Sequence, residues 1–174
     1  MRELIDDLAE TLRVKLKVSE GNPADLLALR TAIQVMRPEI DQLSSRVLPI
    51  LKKYLPEFSG TFLDVGSYGG WVYPYVRERV DYHGIDTWPT GIECSTRMFG
   101  NRFEKADLFD YEKKHDVVWC SQLLFTGLYL EAWEKCKSLA NKLCVFVTPE
   151  GNVEFRGESE RYAEGRMTVL VWRG

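Results

Sequence analysis

The sequence predicts an α/β fold in which a mainly parallel β-sheet is flanked by helices. After residue 60, short runs of β-prone residues alternate with helical stretches, which is the pattern of β-α-β units. Two further β-prone runs near the end are predicted to pair as an antiparallel C-terminal edge. Before residue 56, three segments have helical spacing. We therefore expect a helical N-terminal cap over residues 1–56 and an α/β domain over residues 57–174.

Length and composition suit one domain with an appended piece. The 174 residues are 45% hydrophobic, which is enough to build a core that needs no disulfide bonds or metal ions for stability. A net charge of −3 disfavours a purely electrostatic nucleic-acid binder. Four cysteines without a C-x-x-C pair give no reason to expect a metal site. We expect no membrane-spanning segment and no secretory signal, and hence a cytoplasmic protein.

The N-terminal segments differ in how clearly they are helical. Apolar residues in the first segment recur at helical spacing, but residues 12–18 alternate and would also suit a strand. Asn22 and Pro23 form a good helix start, and Pro38 separates the next two helices. The last of these presents an apolar face made by Ile40, Leu43, Val47, Ile50 and Leu51.

The elements of the α/β part follow in order. Strands are predicted at residues 61–65, 81–85, 102–106, 116–120 and 143–147, and helices at 70–79, 91–98 and 126–140. Only one turn fits between the third and fourth strands. The closing β-prone runs are residues 153–156 and 167–172, with a charged loop between them.

A tight glycine turn follows the first predicted strand, at Gly66, Gly69 and Gly70. Such a turn exposes backbone N–H groups and a helix N-terminus at the carboxyl edge of the sheet, where open α/β folds bind ligands. Glycines suit it because the chain turns sharply and a ligand can lie against bare backbone. Asp86 ends the second strand 20 positions after Gly66, a distance that suits a carboxylate binding ribose hydroxyls.

Tyr68 and Asp64 decide which nucleoside cofactor is favoured. The dinucleotide fingerprint requires glycine where this sequence has Tyr68 and again where it has Trp71. Asp64 would repel a pyrophosphate and attract the ammonium of an amino-acid tail. S-adenosylmethionine carries that ammonium and a ribose but no phosphate, so it suits both ends of the pattern.

These residues resemble the class I S-adenosylmethionine-dependent methyltransferase family over about residues 58–150. Residues 64–70 are similar to its first motif, 83–88 to its second, 106–108 to its third and 115–124 to its fourth. The resemblance implies a Rossmann-like sheet and methyl transfer to an acceptor atom. The sequence departs from the family at Tyr68, in the almost absent third helix, and at residues 140–142, where a Pro-Gly turn is common.

The resemblance also implies roles for individual residues. Asp86 would bind the ribose, Thr87 or Trp88 would lie against the adenine, Asp107 would take the adenine amino group, and the backbone N–H of Leu108 would contact the ring. The full set of expected cofactor-binding residues is Asp64, Gly66, Ser67, Tyr68, Gly70, Asp86, Thr87, Trp88, Asp107, Leu108, Ser121 and Gln122. No catalytic residue is predicted, because positioning and desolvation can supply much of the catalysis of a displacement whose leaving group departs neutral.

Several alternatives stay open at this point. The glycine turn could be purely structural, Asp107 could be a solvated helix cap, and Ser121 with Gln122 could cap the next helix. Cys120 stands where cytosine C5 methyltransferases have a nucleophile, but their Pro-Cys pair is absent. A small-molecule or protein acceptor is favoured. The alternatives are a non-catalytic binding module and a nucleic-acid methyltransferase with an atypical fourth motif. The N-terminal helices are expected to cover the cofactor or shape the acceptor pocket.

Overall fold

The computed structural model describes residues 46–121, 128–149, 160–164 and 167–174. The helices are α1 (residues 46–54), α2 (Tyr73–Val76), α3 (Pro89–Phe99) and α4 (Tyr129–Leu139), and a 3-10 turn spans Leu55–Glu57. The strands are β1 (Gly60–Val65), β2 (Val80–Asp86), β3 (Phe103–Lys105), β4 (His115–Ser121), β5 (Ala140–Pro149), β6 (Glu160–Glu164) and β7 (Met167–Arg173). No helix of the described part is long and apolar enough to cross a bilayer.

The seven strands form one sheet in the order β3-β2-β1-β4-β5-β7-β6. Strands β1 to β5 pair in parallel, and β7 runs antiparallel to both β5 and β6. The predicted α/β class and antiparallel C-terminal edge are confirmed. The chain moves outward from β1 to β2 and β3, then returns to place β4 on the other side of β1. This reversal opens a crevice at the carboxyl ends of β1 and β4, where open α/β sheets bind ligands.

Helices cover both faces of the sheet, as a parallel sheet requires. Helices α1 and α2 contribute to one core, and α4 contributes to the other. Strand β4 lies between the two cores, and four successive residues in it are at most 1% exposed: Val117, Val118, Trp119 and Cys120. Such continuously apolar strands fix the sheet as a rigid support for the loops at its edge.

Helix α1 belongs to the core of the sheet. Val47, Ile50 and Leu51 are fully buried in the same cluster as Phe62 and Val145. This confirms the described part of the predicted apolar face. Ile40, Leu43 and the two earlier segments lie outside the described residues, and the division of the chain at residue 56 stays a prediction.

The helix predicted at residues 70–79 is wrong in its length, because α2 is a single turn. The chain after β1 instead makes tight turns, in which the Gly70 N–H donates to the Ser67 carbonyl and the Tyr73 N–H to the Gly70 carbonyl. A further turn joins Arg79 to Val76. These bonds span three residues rather than four, so most of the segment is turn and not α-helix.

Strand β6, the outer partner of β7, lies at Glu160–Glu164. The sequence analysis assigned this stretch to a charged loop. The run predicted at residues 153–156 lies outside the described residues. An edge strand needs backbone partners on one side only and tolerates charged residues, so hydrophobicity alone does not locate it.

The connection between β3 and β4 contains one turn and no helix, as predicted. The Asp110 N–H donates to the Asp107 carbonyl, and the Tyr111 N–H to the Leu108 carbonyl. Leu108 and Tyr111 are buried against the α4 side of the sheet.

Candidate functional site

The loop after β1 is tied to the end of β2 at the crevice. The backbone N–H groups of Gly66 and Ser67 both donate to the Ile85 carbonyl, at 2.9 and 3.0 Å. Gly66, Tyr68 and Gly70 have positive φ angles of 71°, 51° and 76°. Three left-handed residues at alternate positions bend the chain sharply, which explains why this segment is rich in glycine.

Asp86 joins the loop after β1 to the loop after β2. Its Oδ2 accepts the Tyr68 N–H at 2.9 Å, and its Oδ1 accepts the Trp88 N–H at 2.8 Å. The side chain is half-buried. Because each carboxylate oxygen has two lone pairs, both oxygens can still accept a bond from a ligand hydroxyl. The residue predicted to bind ribose is therefore held in place and retains hydrogen-bonding capacity.

Asp64 lies on the same face of the sheet as Asp86. Phe62 and Tyr82 stack at 5.8 Å across β1 and β2, and strand alternation places Asp64 and Asp86 on that side as well. The Tyr82 hydroxyl donates to Oδ2 of Asp64 at 2.6 Å, and Asp64 is only 1% exposed.

Burial raises the pKa of the Asp64 carboxyl to about 8, with the Asp86 charge adding to the rise and the Tyr82 hydrogen bond opposing it. Asp64 is therefore mainly neutral at pH 7, whereas the sequence analysis treated it as a charge. Burial, with the Asp64 charge, also raises the pKa of Tyr82 well above its ordinary value. A cation next to Asp64 would favour its charged form and displace the proton.

The side chains of Tyr68 and Trp88 stack on each other. Their ring centroids are 4.7 Å apart and their planes differ by 23°. Gly91 lies tightly beneath the pair, since a Cβ there would come within 2.4 Å of Trp88 Cε3 and 2.8 Å of the Tyr68 carbonyl oxygen. The backbones of Tyr68 and Trp88 are thus held at the same edge as Asp86.

Comparisons with known proteins agree with this architecture. No protein-family model and no curated protein matches the sequence. Among solved structures, magnesium protoporphyrin IX methyltransferase from Synechocystis PCC 6803 with bound SAM is similar, with a TM-score of 0.54 and 15% identity over 82% of each chain. The plantazolicin methyltransferase BpumL, in complex with a monoazolic desmethylPZN analog and SAH, has a TM-score of 0.51 and 18% identity over 85% of this chain and 63% of that one. The DhpI-SAM-HEP complex has a TM-score of 0.50 and 16% identity over 84% of this chain and 80% of that one.

The chain has the class I methyltransferase fold. At these identities the likeness establishes the fold, and the roles of single residues rest on their own geometry.

Gly70 and Ser67 serve the methyltransferase fold by packing inward. The Gly70 position faces the core, where a Cβ would come within 2.8 Å of Phe103 and 3.2 Å of Phe99. Ser67 is fully buried, and its Oγ has no hydrogen-bond partner among the described residues. Its Cβ lies close to Gly84, where an added Cβ would come within 2.9 Å. The Gly70 backbone and the Ser67 side chain therefore pack the loop against the sheet.

Replacing Gly70 by alanine is expected to destabilise the fold more than replacing Gly100. Both residues have positive φ, 76° and 88°, so both variants incur backbone strain of about 1–3 kcal/mol, and with a ψ of −174° Gly100 lies in a region that is essentially restricted to glycine. Only at Gly70 does the new Cβ collide with rings, since at Gly100 its nearest contact is 3.7 Å from Arg102. We expect this collision to add about 1–3 kcal/mol to the strain at Gly70, so that Gly70→Ala loses more stability than Gly100→Ala in urea unfolding. Equal losses would show that the aromatic cluster accommodates the methyl group.

The other expected cofactor residues of the methyltransferase fold lie at the same edge, with different surroundings. Asp107 is exposed and accepts the Phe109 N–H at 2.9 Å, which caps a turn and not the helix that the alternative interpretation assumed. The Leu108 side chain is buried in the core, and Thr87 is exposed. Ser121 is buried, and its Oγ accepts the Trp119 indole N–H at 3.3 Å. Gln122 lies outside the described residues.

Tyr82 is a site residue that sequence reasoning missed. It matches no methyltransferase motif, yet it is the hydrogen-bond partner of Asp64. The available signal was strand alternation, because residues 82, 84 and 86 share a face of β2 and Asp64 pairs in register with Gly84. A tyrosine diagonal to a buried acid on a neighbouring strand is within reach of it.

Proposed function

We propose that this chain binds S-adenosylmethionine and transfers its methyl group to a small-molecule or protein acceptor. The observation that carries the proposal is the position of Asp86, which joins the loop after β2 to the loop after β1, the strand next to the strand-order reversal, and keeps acceptor capacity on both oxygens. The solved structures with the same fold provide independent support, since they are complexes with SAM or SAH.

The residues at the crevice suit the chemistry of this cofactor. The ribose hydroxyls would donate to Asp86, and the ammonium of the methionine part would lie next to Asp64, whose carboxylate form a cation stabilises. Gly66, with its positive φ of 71°, presents bare backbone at the turn, against which a ligand would lie. When bound, the cofactor supplies an electrophilic methyl group on a sulfonium. The chain's residues would then orient the nucleoside and exclude water, which can supply much of the catalysis of an in-line displacement with a neutral leaving group.

We further propose that the protein acts in the cytoplasm. Cys94, Cys120, Cys136 and Cys144 are all free and buried, which is compatible with a reducing compartment.

Thermal denaturation with ligands tests the cofactor assignment. S-adenosylhomocysteine at about 100 times its dissociation constant is expected to add about 2.7 kcal/mol to the free energy of unfolding. NAD at the same concentration should add nothing, because Tyr68 occupies the glycine position that a pyrophosphate requires. The proposal would be contradicted if NAD stabilised the protein, or if S-adenosylhomocysteine did not.

A non-catalytic module that only binds the cofactor is the second candidate, favoured by the short connection between β3 and β4. Residues 106–114 contain one turn there and no helix. Mass spectrometry of a cell extract incubated with the protein and isotope-labelled cofactor separates the two. A labelled methyl group on any extract component supports transfer, whereas binding without labelling supports the inert module.

A further inference from the structure

The stacked rings of Tyr68 and Trp88 lie immediately beside the proposed ribose acid. Asp86 holds the backbone N–H groups of both residues, at 2.9 and 2.8 Å. The base of a nucleoside whose ribose binds Asp86 must therefore lie close to these rings. A separation of 4.7 Å between ring centroids is that of a single stacked pair. A base cannot insert between them, because insertion would need about twice this spacing.

The backbone on both sides of the stack is fixed. Tyr68 has a left-handed φ of 51° and is anchored to Asp86 through its N–H. Trp88 is anchored to the same carboxylate and packs tightly against Gly91. The movement that can uncover the stacked face of Trp88 without moving the backbone is therefore a rotation of the half-buried Tyr68 side chain.

We propose that Tyr68 is a gate for the nucleoside base: its ring covers the face of Trp88 that the base would occupy, and the base binds by taking its place. This inference rests on the proposed function, because it assumes that a nucleoside binds at Asp86. The ring of Tyr68 also makes the site selective, since only a ligand with a planar base can restore the stacking that opening removes.

The gate reduces the apparent affinity of nucleosides. A protein whose binding-competent state is only partly populated binds its ligand more weakly by that populated fraction. Aromatic pairs of this kind shift an equilibrium by about 2- to 12-fold. Removing the ring should therefore raise nucleoside affinity by a factor in this range, whereas it would lower affinity if Tyr68 supported the base.

Isothermal titration of three ligands into variants of Tyr68 tests the gate. Tyr68→Ala is expected to bind S-adenosylhomocysteine and adenosine more tightly by the same factor of about 2 to 12. Tyr68→Phe keeps the ring and should keep the lower affinity. Methionine, which has no base, should bind wild type and Tyr68→Ala equally. Tyr75→Ala, which removes a half-buried tyrosine from α2, is the control for loss of an aromatic side chain elsewhere.

Tyr68→Gly separates the loss of the ring from folding defects, because glycine adopts a left-handed φ without strain. It should reproduce the tighter binding of Tyr68→Ala even if the alanine variant unfolds easily. Unchanged or weaker binding of S-adenosylhomocysteine and adenosine by the ring-less variants would overturn the gate while leaving the proposed function intact. Failure of wild type and all variants to bind either nucleoside would overturn the proposed function, and the gate with it.

Discussion

Asp64→Asn is expected to remove most of a stability loss that the wild-type protein undergoes between about pH 4 and pH 8. The pKa of this buried carboxyl rises from 3.8 to about 8 on folding, mainly because burial disfavours the charge. In that range the folded state keeps a proton that the unfolded chain releases. The stability contributed by the protonated form is therefore complete below the unfolded pKa and is lost as the pH rises to the folded one.

The expected loss is large on the scale of a small domain. It amounts to about 1.4 kcal/mol for each pH unit, and several kcal/mol over the whole range. Asparagine has the same shape as aspartate, can accept the Tyr82 hydrogen bond and does not titrate. The free energy of unfolding of Asp64→Asn, relative to wild type, should therefore increase steadily as the pH rises from 4 to 8.

Urea unfolding of both proteins at several pH values measures this difference. Other titrating groups cancel in the comparison, including His115, whose pKa burial lowers to about 4. Tyr82→Phe is the matched control, since it removes the hydrogen bond to Asp64 but keeps the buried carboxyl. It should be less stable by about 1 kcal/mol and keep the pH dependence. Parallel pH profiles for wild type and Asp64→Asn would mean that Asp64 is charged in the folded state.

The protonation of Asp64 also illustrates what the sequence could not predict. Its position two residues before Gly66 identified it as a candidate, because an acid at a strand end next to a glycine turn is a local pattern. Its charge depends on the elements that bury it and on Tyr82, which is 18 positions away in the chain. Local spacing carries no information about that desolvation. For the same reason, the sequence placed Tyr68 in the site but not its contact with Trp88, which follows from the left-handed φ of Tyr68.

The sequence predicted some elements of the fold and not others, because short sequence patterns carry no information about distant contacts. Strands β1, β4 and β5 were predicted because apolar runs buried on both faces are distinctive. Helix α2 was predicted too long because its apolar spacing suits a helix, while the successive turns from Ser67 to Tyr73 are set by the glycines and by packing against Phe103. Strand β6 was missed because an edge strand needs no apolar run, and its pairing with β7 depends on residues that follow it in the chain.

Asp86→Ala is expected to cause the largest loss of cofactor affinity of any single substitution at the edge. The ribose hydroxyls would lose the carboxylate that accepts their hydrogen bonds, and the N–H groups of Tyr68 and Trp88 would lose their common acceptor. Bonds to charged groups contribute about 1.5–3 kcal/mol each, and part of the backbone loss is recovered by water at this half-buried site. We expect the affinity for S-adenosylhomocysteine to fall by about 3 kcal/mol, roughly a hundredfold.

Two other acids serve as controls for charge and position. Asp81→Ala removes an exposed carboxylate from the opposite end of the same strand and should leave the affinity unchanged. Asp107→Ala removes an exposed carboxylate from the loop after β3 and should cost about tenfold or less, because water would compete with the adenine amino group that the resemblance assigns to it. Isothermal titration gives the affinities, and urea unfolding gives the separate effect on stability. If Asp86→Ala lost stability but bound S-adenosylhomocysteine as tightly as Asp81→Ala does, Asp86 would only join the two loops, and the nucleoside would bind elsewhere on the sheet.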